Sequence, residues 1–236
     1  MVLEKVRSYM DEVVKKLFDM ERPRQNFLVN SMGAVSHEST IYPLFYVEVG
    51  DRNATNLKDV LISAGVHGEE PGGVKAVLRF LEEGVHVFRN HYRFLVFPCI
   101  NPFGFEHNHR FNPQPDPDRL NRGMDINRQF KRGTQCQEAR NVMSILERES
   151  RKFVCSVDLH ETNPNWADEG FEPENNPHTF YMWETCPDKN LRIGEKVVAE
   201  IKQFAPVCQW SKVYKDTNSG GVIWYPEGCF NPFYAQ

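Results

Sequence analysis

The chain has 236 residues, enough for one large domain with a sizeable core, and its 40% hydrophobic and 25% charged residues are the balance of an ordinary globular protein. A net charge of -4 leaves no basic footprint for nucleic acid or an anionic membrane surface, so any positive site must be local. No stretch approaches the roughly twenty apolar residues of a membrane helix, and the N-terminal residues mix charges with apolar groups, which makes the cytoplasm the expected location.

Residues 2–18 carry Val6, Tyr9, Met10, Val13, Val14 and Leu17 with charges between them, the pattern of an amphipathic helix. Residues 22–30, with a proline and polar side chains, read as a connector, and residues 42–49 as the first strand. The run from Val60 to Ala64 is short, apolar and β-branched, bounded by Asp59 and Gly65, as in a strand buried on both faces. It stops at His67-Gly68-Glu69-Glu70. After Pro71-Gly72-Gly73, the residues Val74, Val77, Leu78 and Leu81 return at helical spacing. His67 and Glu70 therefore stand where a strand becomes a helix, the edge at which open α/β sheets place ligands. An imidazole and a carboxylate three positions apart can converge there on one cation, most simply Zn2+.

A third apolar run, residues 91–100, ends in the turn sequence Asn101-Pro102-Phe103-Gly104. From there to about Arg132 the chain is rich in Pro, Asn, Asp and Arg without periodicity, which reads as a functional loop. Within it Arg119, Asn121, Arg122, Asp125, Asn127 and Arg128 supply forked cationic and amide groups suited to a carboxylate. A helix over residues 138–149 precedes a second apolar run, 153–159, that also ends in a histidine, His160. Two strand-terminal histidines and one acid form a three-ligand set with a fourth zinc position open, the catalytic arrangement. A polar loop (162–177), a strand (179–183), a helix (189–204) and Gly220-Gly221 before Val222-Ile223-Trp224 complete the chain. His37, His86, His91, His107, His109 and His178 read as surface or loop histidines, and the six scattered cysteines as reduced, mostly buried thiols. Alternating strands and helices predict an α/β fold with a mixed, mostly parallel central sheet covered on both faces, and with no linker residues 1–236 read as a single domain.

In order and type, His67-Gly68-Glu69-Glu70, Asn101-Pro102-Phe103-Gly104, the stretch Arg119-Leu120-Asn121-Arg122-Gly123-Met124-Asp125-Ile126-Asn127-Arg128-Gln129-Phe130 and Asp158-Leu159-His160 resemble the zinc carboxypeptidase family. The wider superfamily includes murein-peptide amidases and the succinylglutamate desuccinylase and aspartoacylase enzymes. The resemblance covers about residues 60–160, with a weaker echo in residues 219–224. It implies a carboxypeptidase-like (phosphorylase/hydrolase-like) fold and one catalytic Zn2+ per chain, held by His67, Glu70 and His160. It further implies that Arg119 faces the scissile carbonyl oxygen and that Asn127 and Arg128 hold the substrate's free carboxylate. Tyr214 is the nearest tyrosine to the place of the family's substrate-capping tyrosine. The activity implied is hydrolysis of an amide bond beside a free carboxylate in a small peptide or peptide-like substrate. Deacylation of an N-acyl amino acid is the alternative, and a zinc-binding module without its general base is another. The family's base is a glutamate on a late strand. Three readings of it stand: Glu227 serves from its turn, the glutamate lies beyond Gln236 of a truncated chain, or the base is lost. Glu161 and Glu184 are weaker candidates, the first expected to point to the opposite face of its strand, the second a surface acid at a strand end. Oligomeric state is not readable.

Overall fold

The computed structural model describes residues 4–116, 119–162 and 177–225, and at 119–122 the backbone. The chain divides into two compact units, Met1–Glu161 and Thr162–Gln236. In the first, a π-helical turn, Met10–Val14, runs into α1 (Lys15–Glu21). The expected helix over 2–18 thus starts late, because Val6 and Arg7 instead give their backbone N–H groups to the Glu106 carbonyl.

The segment read as a connector contains a strand. β1 (Phe27–His37) pairs antiparallel with β2 (Thr40–Val49), turning through Glu38 and Ser39, both at positive φ. A bulge between Ser31 and Ala34, with Gly33 at φ 98, moves the buried set from Phe27 to Met32, Val35 and His37. A bulge of this kind breaks the period of two by which a strand is recognised. The other first-unit strands are β3 (Lys58–Ala64), β4 (Tyr92–Phe97), β5 (Asn112–Asp116), β6 (Arg119–Met124) and β7 (Phe153–Leu159). Helices α2 (Pro71–Arg79), α3 (Val85–Phe88), α4 (Pro102–His107) and α5 (Gln137–Glu149) alternate with them. The main sheet has the order β1-β2-β4-β3-β7. It is mixed: the two ladders on the β1 side are antiparallel, and the pairs β4/β3 and β3/β7 are parallel. Leu61, Ala64, Leu95, Val96 and Phe97 are buried in its centre, as expected of strands covered on both faces. The stretch read as a loop, 101–132, holds α4, the β5–β6 hairpin and a 3-10 turn at Ile126–Arg128.

In the second unit β8 (Met182–Glu184), β9 (Lys212–Val213), β10 (Asp216–Ser219) and β11 (Val222–Trp224) form a sheet of order β8-β11-β10-β9. The predicted helix over 189–204 resolves into a 3-10 turn, Lys189–Leu191, and α6 (Gly194–Ile201). Val198, Val207 and Val222 make one small core, and Cys208, Val213 and Ile223 another. Glu184 is not a surface acid. It is buried and accepts the backbone N–H groups of Ile193 and Gly194 at 2.7 and 3.0 Å, capping α6.

Among the described residues no helix is long and apolar enough to cross a membrane. Cys99, Cys136, Cys155, Cys186 and Cys208 are free thiols, the first, second and last of them buried.

Candidate metal centre

Parallel pairing of β3 with β7 matches Ser63 to Asp158 and Ala64 to Leu159, so both strands end level. His160 follows β7 at once and His67 comes just beyond β3, where the chain turns into α2 with Glu70 at the N-cap position. Sheet topology thereby gathers three side chains that are 90 or more residues apart in two groups. One donor atom from each of His67, Glu70 and His160 lies within 4.8 Å of the others. Donors on bonds of about 2.1 Å at tetrahedral angles stand roughly 3.4 Å apart, so small side-chain shifts separate this set from a zinc site.

The hydrogen bonds show which atoms face inward. Glu70 takes His67 Nδ1 on Oε1 at 2.8 Å and His160 Nδ1 on Oε2 at 2.7 Å. The opposite ring nitrogens each meet an outer acid: His67 Nε2 lies 3.3 Å from Asp125 Oδ1, and His160 Nε2 lies 3.1 Å from Asp158 Oδ2. An outer carboxylate that keeps the Nε2 proton fixes the tautomer and leaves Nδ1 for a metal, which is how histidine ligands are normally supported. Asp158 is itself held by Ser63 Oγ at 2.7 Å, across the β3/β7 ladder. His67 and Glu70 are buried, whereas the His160 side chain is 32% exposed and forms the open corner of the site.

Electrostatics agree with this arrangement. Burial opposes the charge on Glu70, but His67 and His160 outweigh it and hold the carboxyl well below its ordinary range. Burial likewise opposes charge on Asp125, and its hydrogen bond to His67 brings it down to about 2. Burial disfavours imidazolium at His160, yet Asp158 and Glu70 on either side raise it to about 10. Glu69 behaves oppositely, since burial raises it despite Arg110.

Two groups that the sequence reading did not place at the ligands belong to this site. Asp125 was counted among the carboxylate-recognition residues, but it orients His67 and also caps the 3-10 turn through Asn127 N–H at 3.1 Å. Arg110, unremarked in the sequence, bridges Glu69 and Glu70 at 3.1 and 3.2 Å with its side chain 10% exposed. The motif Asn101-Pro102-Phe103-Gly104 places it. Asn101 Oδ1 caps α4 through Gly104 N–H at 2.8 Å, while Asn101 Nδ2 and Gly68 N–H both donate to the Arg110 carbonyl, at 3.1 and 3.4 Å. Gly68 and Gly104 touch backbone to backbone: a Cβ on Gly68 would fall 1.9 Å from the Gly104 carbonyl carbon. The glycines of the first two motifs are thus one contact.

Of the remaining expected residues, Asn127 is buried in the turn that Asp125 caps, and its Oδ1 has no hydrogen-bond partner among the described residues. Arg128 is exposed. Arg119 opens β6 by its backbone, with its side chain outside the description, and Glu227 lies outside the described residues. Tyr214 belongs to the second unit, at φ 54, its ring stacked on Trp183 at a centroid distance of 6.1 Å. His37 is not a surface histidine: it is buried and pairs with Glu138 at 2.7 Å.

Residues 56–171 match the succinylglutamate desuccinylase/aspartoacylase catalytic domain family. No curated protein matches the sequence. Three solved structures share the fold, all candidate metallopeptidases. The one from Shewanella denitrificans has a TM-score of 0.67 at 21% identity, over 94% of this chain and 75% of its own. The Shewanella baltica structure has 0.67 at 20%, over 95% and 79%, and the Shewanella amazonensis structure 0.63 at 20%, over 99% and 85%. The candidate ligands at the ends of β3 and β7, His67, Glu70 and His160, all fall within the segment that matches this catalytic domain family.

Proposed function

We propose that the chain is a zinc-dependent, metallocarboxypeptidase-like hydrolase that cleaves an amide bond adjacent to a free carboxylate in a small peptide or peptide-like substrate. The observation that carries this reading is the convergence of His67, Glu70 and His160, each imidazole backed by its own outer acid. When bound there, a zinc ion supplies Lewis acidity toward a carbonyl oxygen and makes water more acidic. His67 and His160 would hold it through Nδ1, with Asp125 and Asp158 retaining the Nε2 protons, and Glu70 would complete the set. The exposed edge of His160 gives a substrate its approach.

The remaining roles in this reading rest on the family pattern. Arg119 stabilises the oxygen on which negative charge develops, a task suited to a fixed guanidinium. Asn127 and Arg128 grip the free carboxylate by parallel hydrogen bonds, Tyr214 closes over the substrate, and Glu227 moves the proton from water to the leaving amine. Residues 1–236 act as one catalytic domain in this account. Structural likeness to candidate metallopeptidases favours a peptide substrate. The family match over 56–171 favours the second reading, deacylation of an N-acyl amino acid.

The test offers the purified protein an N-blocked dipeptide with a free C-terminus, the same dipeptide amidated, and an N-acyl amino acid, each with chelator and with zinc restored. The expected result is turnover of the free-acid dipeptide alone, lost on chelation and regained with zinc. Turnover of the N-acyl amino acid alone transfers the assignment to deacylation, and zinc binding without turnover of any of them overturns the enzyme reading. Glu227→Gln should lose turnover while keeping its metal.

A further inference from the structure

Glu161 follows the ligand His160, and its side chain turns toward the first ligand loop, not to the opposite face. Its carboxylate Oε2 accepts the backbone N–H of Gly72 at 2.6 Å, and its own backbone N–H donates to Glu70 Oε2 at 3.1 Å. Two hydrogen bonds thus tie residues 70–72 to residues 160–161, the two segments that carry the ligands.

Local chemistry explains why this tie forms. Glu70 occupies the N-cap position of α2 but makes no capping bond, since both its oxygens face imidazoles. Pro71, next in line, has no N–H to satisfy. Gly72 therefore offers the first free donor of the helix, and a carboxylate from the other segment takes it, as the positive end of a helix favours. Glycine at 72 leaves room for this carboxylate. A Cβ there would lie 2.7 Å from Glu161 Oε2 and 3.0 Å from its Cδ, displacing the carboxylate. Neither feature is needed for an isolated helix start, because a side chain at this position in α2 would otherwise be tolerated.

We infer that Glu161 is a positioning residue: by capping α2 from the end of β7 it fixes the spacing between Glu70 and His160, and so the affinity of the metal site. The inference rests on His67, Glu70 and His160 being the ligands. It also assigns Glu161 a role incompatible with that of general base.

Zinc affinity, measured by competition with a chromophoric chelator, and the absorption spectrum of the cobalt-substituted protein test it on Glu161→Ala, Glu161→Gln and Gly72→Ala, with thermal unfolding of each metal-free protein as a folding control. Glu161 is exposed, so these variants should fold. Glu161→Ala should lose about 10-fold or more in zinc affinity, the size of effect usual for groups that orient ligands, and shift the cobalt spectrum. Glu161→Gln keeps an oxygen for Gly72 N–H and should stay within about 3-fold of wild type, with the wild-type spectrum. Gly72→Ala should reproduce the Glu161→Ala loss, and the double variant should be no worse than either single. Wild-type affinity in Glu161→Ala while His160→Ala loses zinc overturns the positioning role alone; wild-type affinity in His160→Ala removes the ligand assignment and the inference together. Loss of turnover in Glu161→Gln with zinc affinity unchanged would make Glu161 the base and also overturn the inference.

Discussion

Asp125→Asn isolates what an outer carboxylate contributes to the site. Asparagine keeps the size of the side chain and an oxygen at Oδ1, so the cap on Asn127 N–H, at 3.1 Å, is retained. It also keeps an acceptor for His67 Nε2, which lies 3.3 Å away. The negative charge is removed, from a group whose acidity, about 2, shows it to be ionised at any working pH, and the Oδ2 that lies 4.0 Å from Arg110 Nε becomes an amide nitrogen. A hydrogen bond to a charged partner exceeds a neutral one by about 1 kcal/mol, or about fivefold in affinity. Loss of an outer carboxylate behind a ligand histidine has a ceiling near 100-fold. Zinc affinity at pH near 7.5 should therefore fall between about 5- and 100-fold, and the metal-free protein should unfold at a lower temperature, because the ionised carboxylate also contributes to its stability. Affinity within twofold of wild type would refute the reasoning, as would an equal loss in Glu83→Gln, an exposed acid paired with Arg79 away from the site.

Arg110→Met leaves Glu69 and Glu70 buried without the guanidinium that bridges them, and should cost about 3 kcal/mol in urea unfolding of the metal-free protein; a loss below about 1 kcal/mol would show that the bridge is dispensable. Gly68→Ala drives a methyl into the Gly104 backbone and should cost about 3 kcal/mol or more, against near-neutrality if the two loops can part. In the metal-free protein, His160 is raised to about 10, so its contribution to stability is full below about pH 6.5 and disappears as pH climbs toward 10. Asp125, depressed to about 2, contributes fully above its unfolded value near 3.8, losing that contribution as pH falls toward 2. Thermal unfolding of metal-free protein should accordingly peak between these limits. Zinc must displace the His160 proton, so its affinity should rise about tenfold per pH unit between pH 7 and 9, where a flat titration would contradict the assignment.

Much of the site was legible because strand ends carry it. The apolar runs before His67 and His160 mark two parallel strands, β3 buried and β7 partly exposed at the end of the strand order, and parallel neighbours in one sheet end at the same edge. What escaped the sequence depended on contacts without a local period. β1 was hidden by its bulge at Gly33, and its hairpin by a turn of Glu38 and Ser39 instead of glycine and asparagine. His37 looked like a loop residue because Glu138, its partner, is 101 positions away. Arg110 could not be told from other arginines, since its position is set by the backbone bonds that Asn101 and Gly68 make to its carbonyl. Glu161 was assigned to the wrong face by strand alternation. β7 ends at Leu159, so the alternation no longer governs two residues later.

The account stands on one divalent ion held by two imidazoles and one carboxylate. X-ray absorption at the zinc edge, with metal content measured on wild type and on His67→Ala, Glu70→Gln and His160→Ala, tests this directly. The expected result is one zinc per chain in a nitrogen and oxygen shell with two imidazoles, falling to background in each variant. A sulfur-containing shell, or full zinc content in the variants, would contradict it.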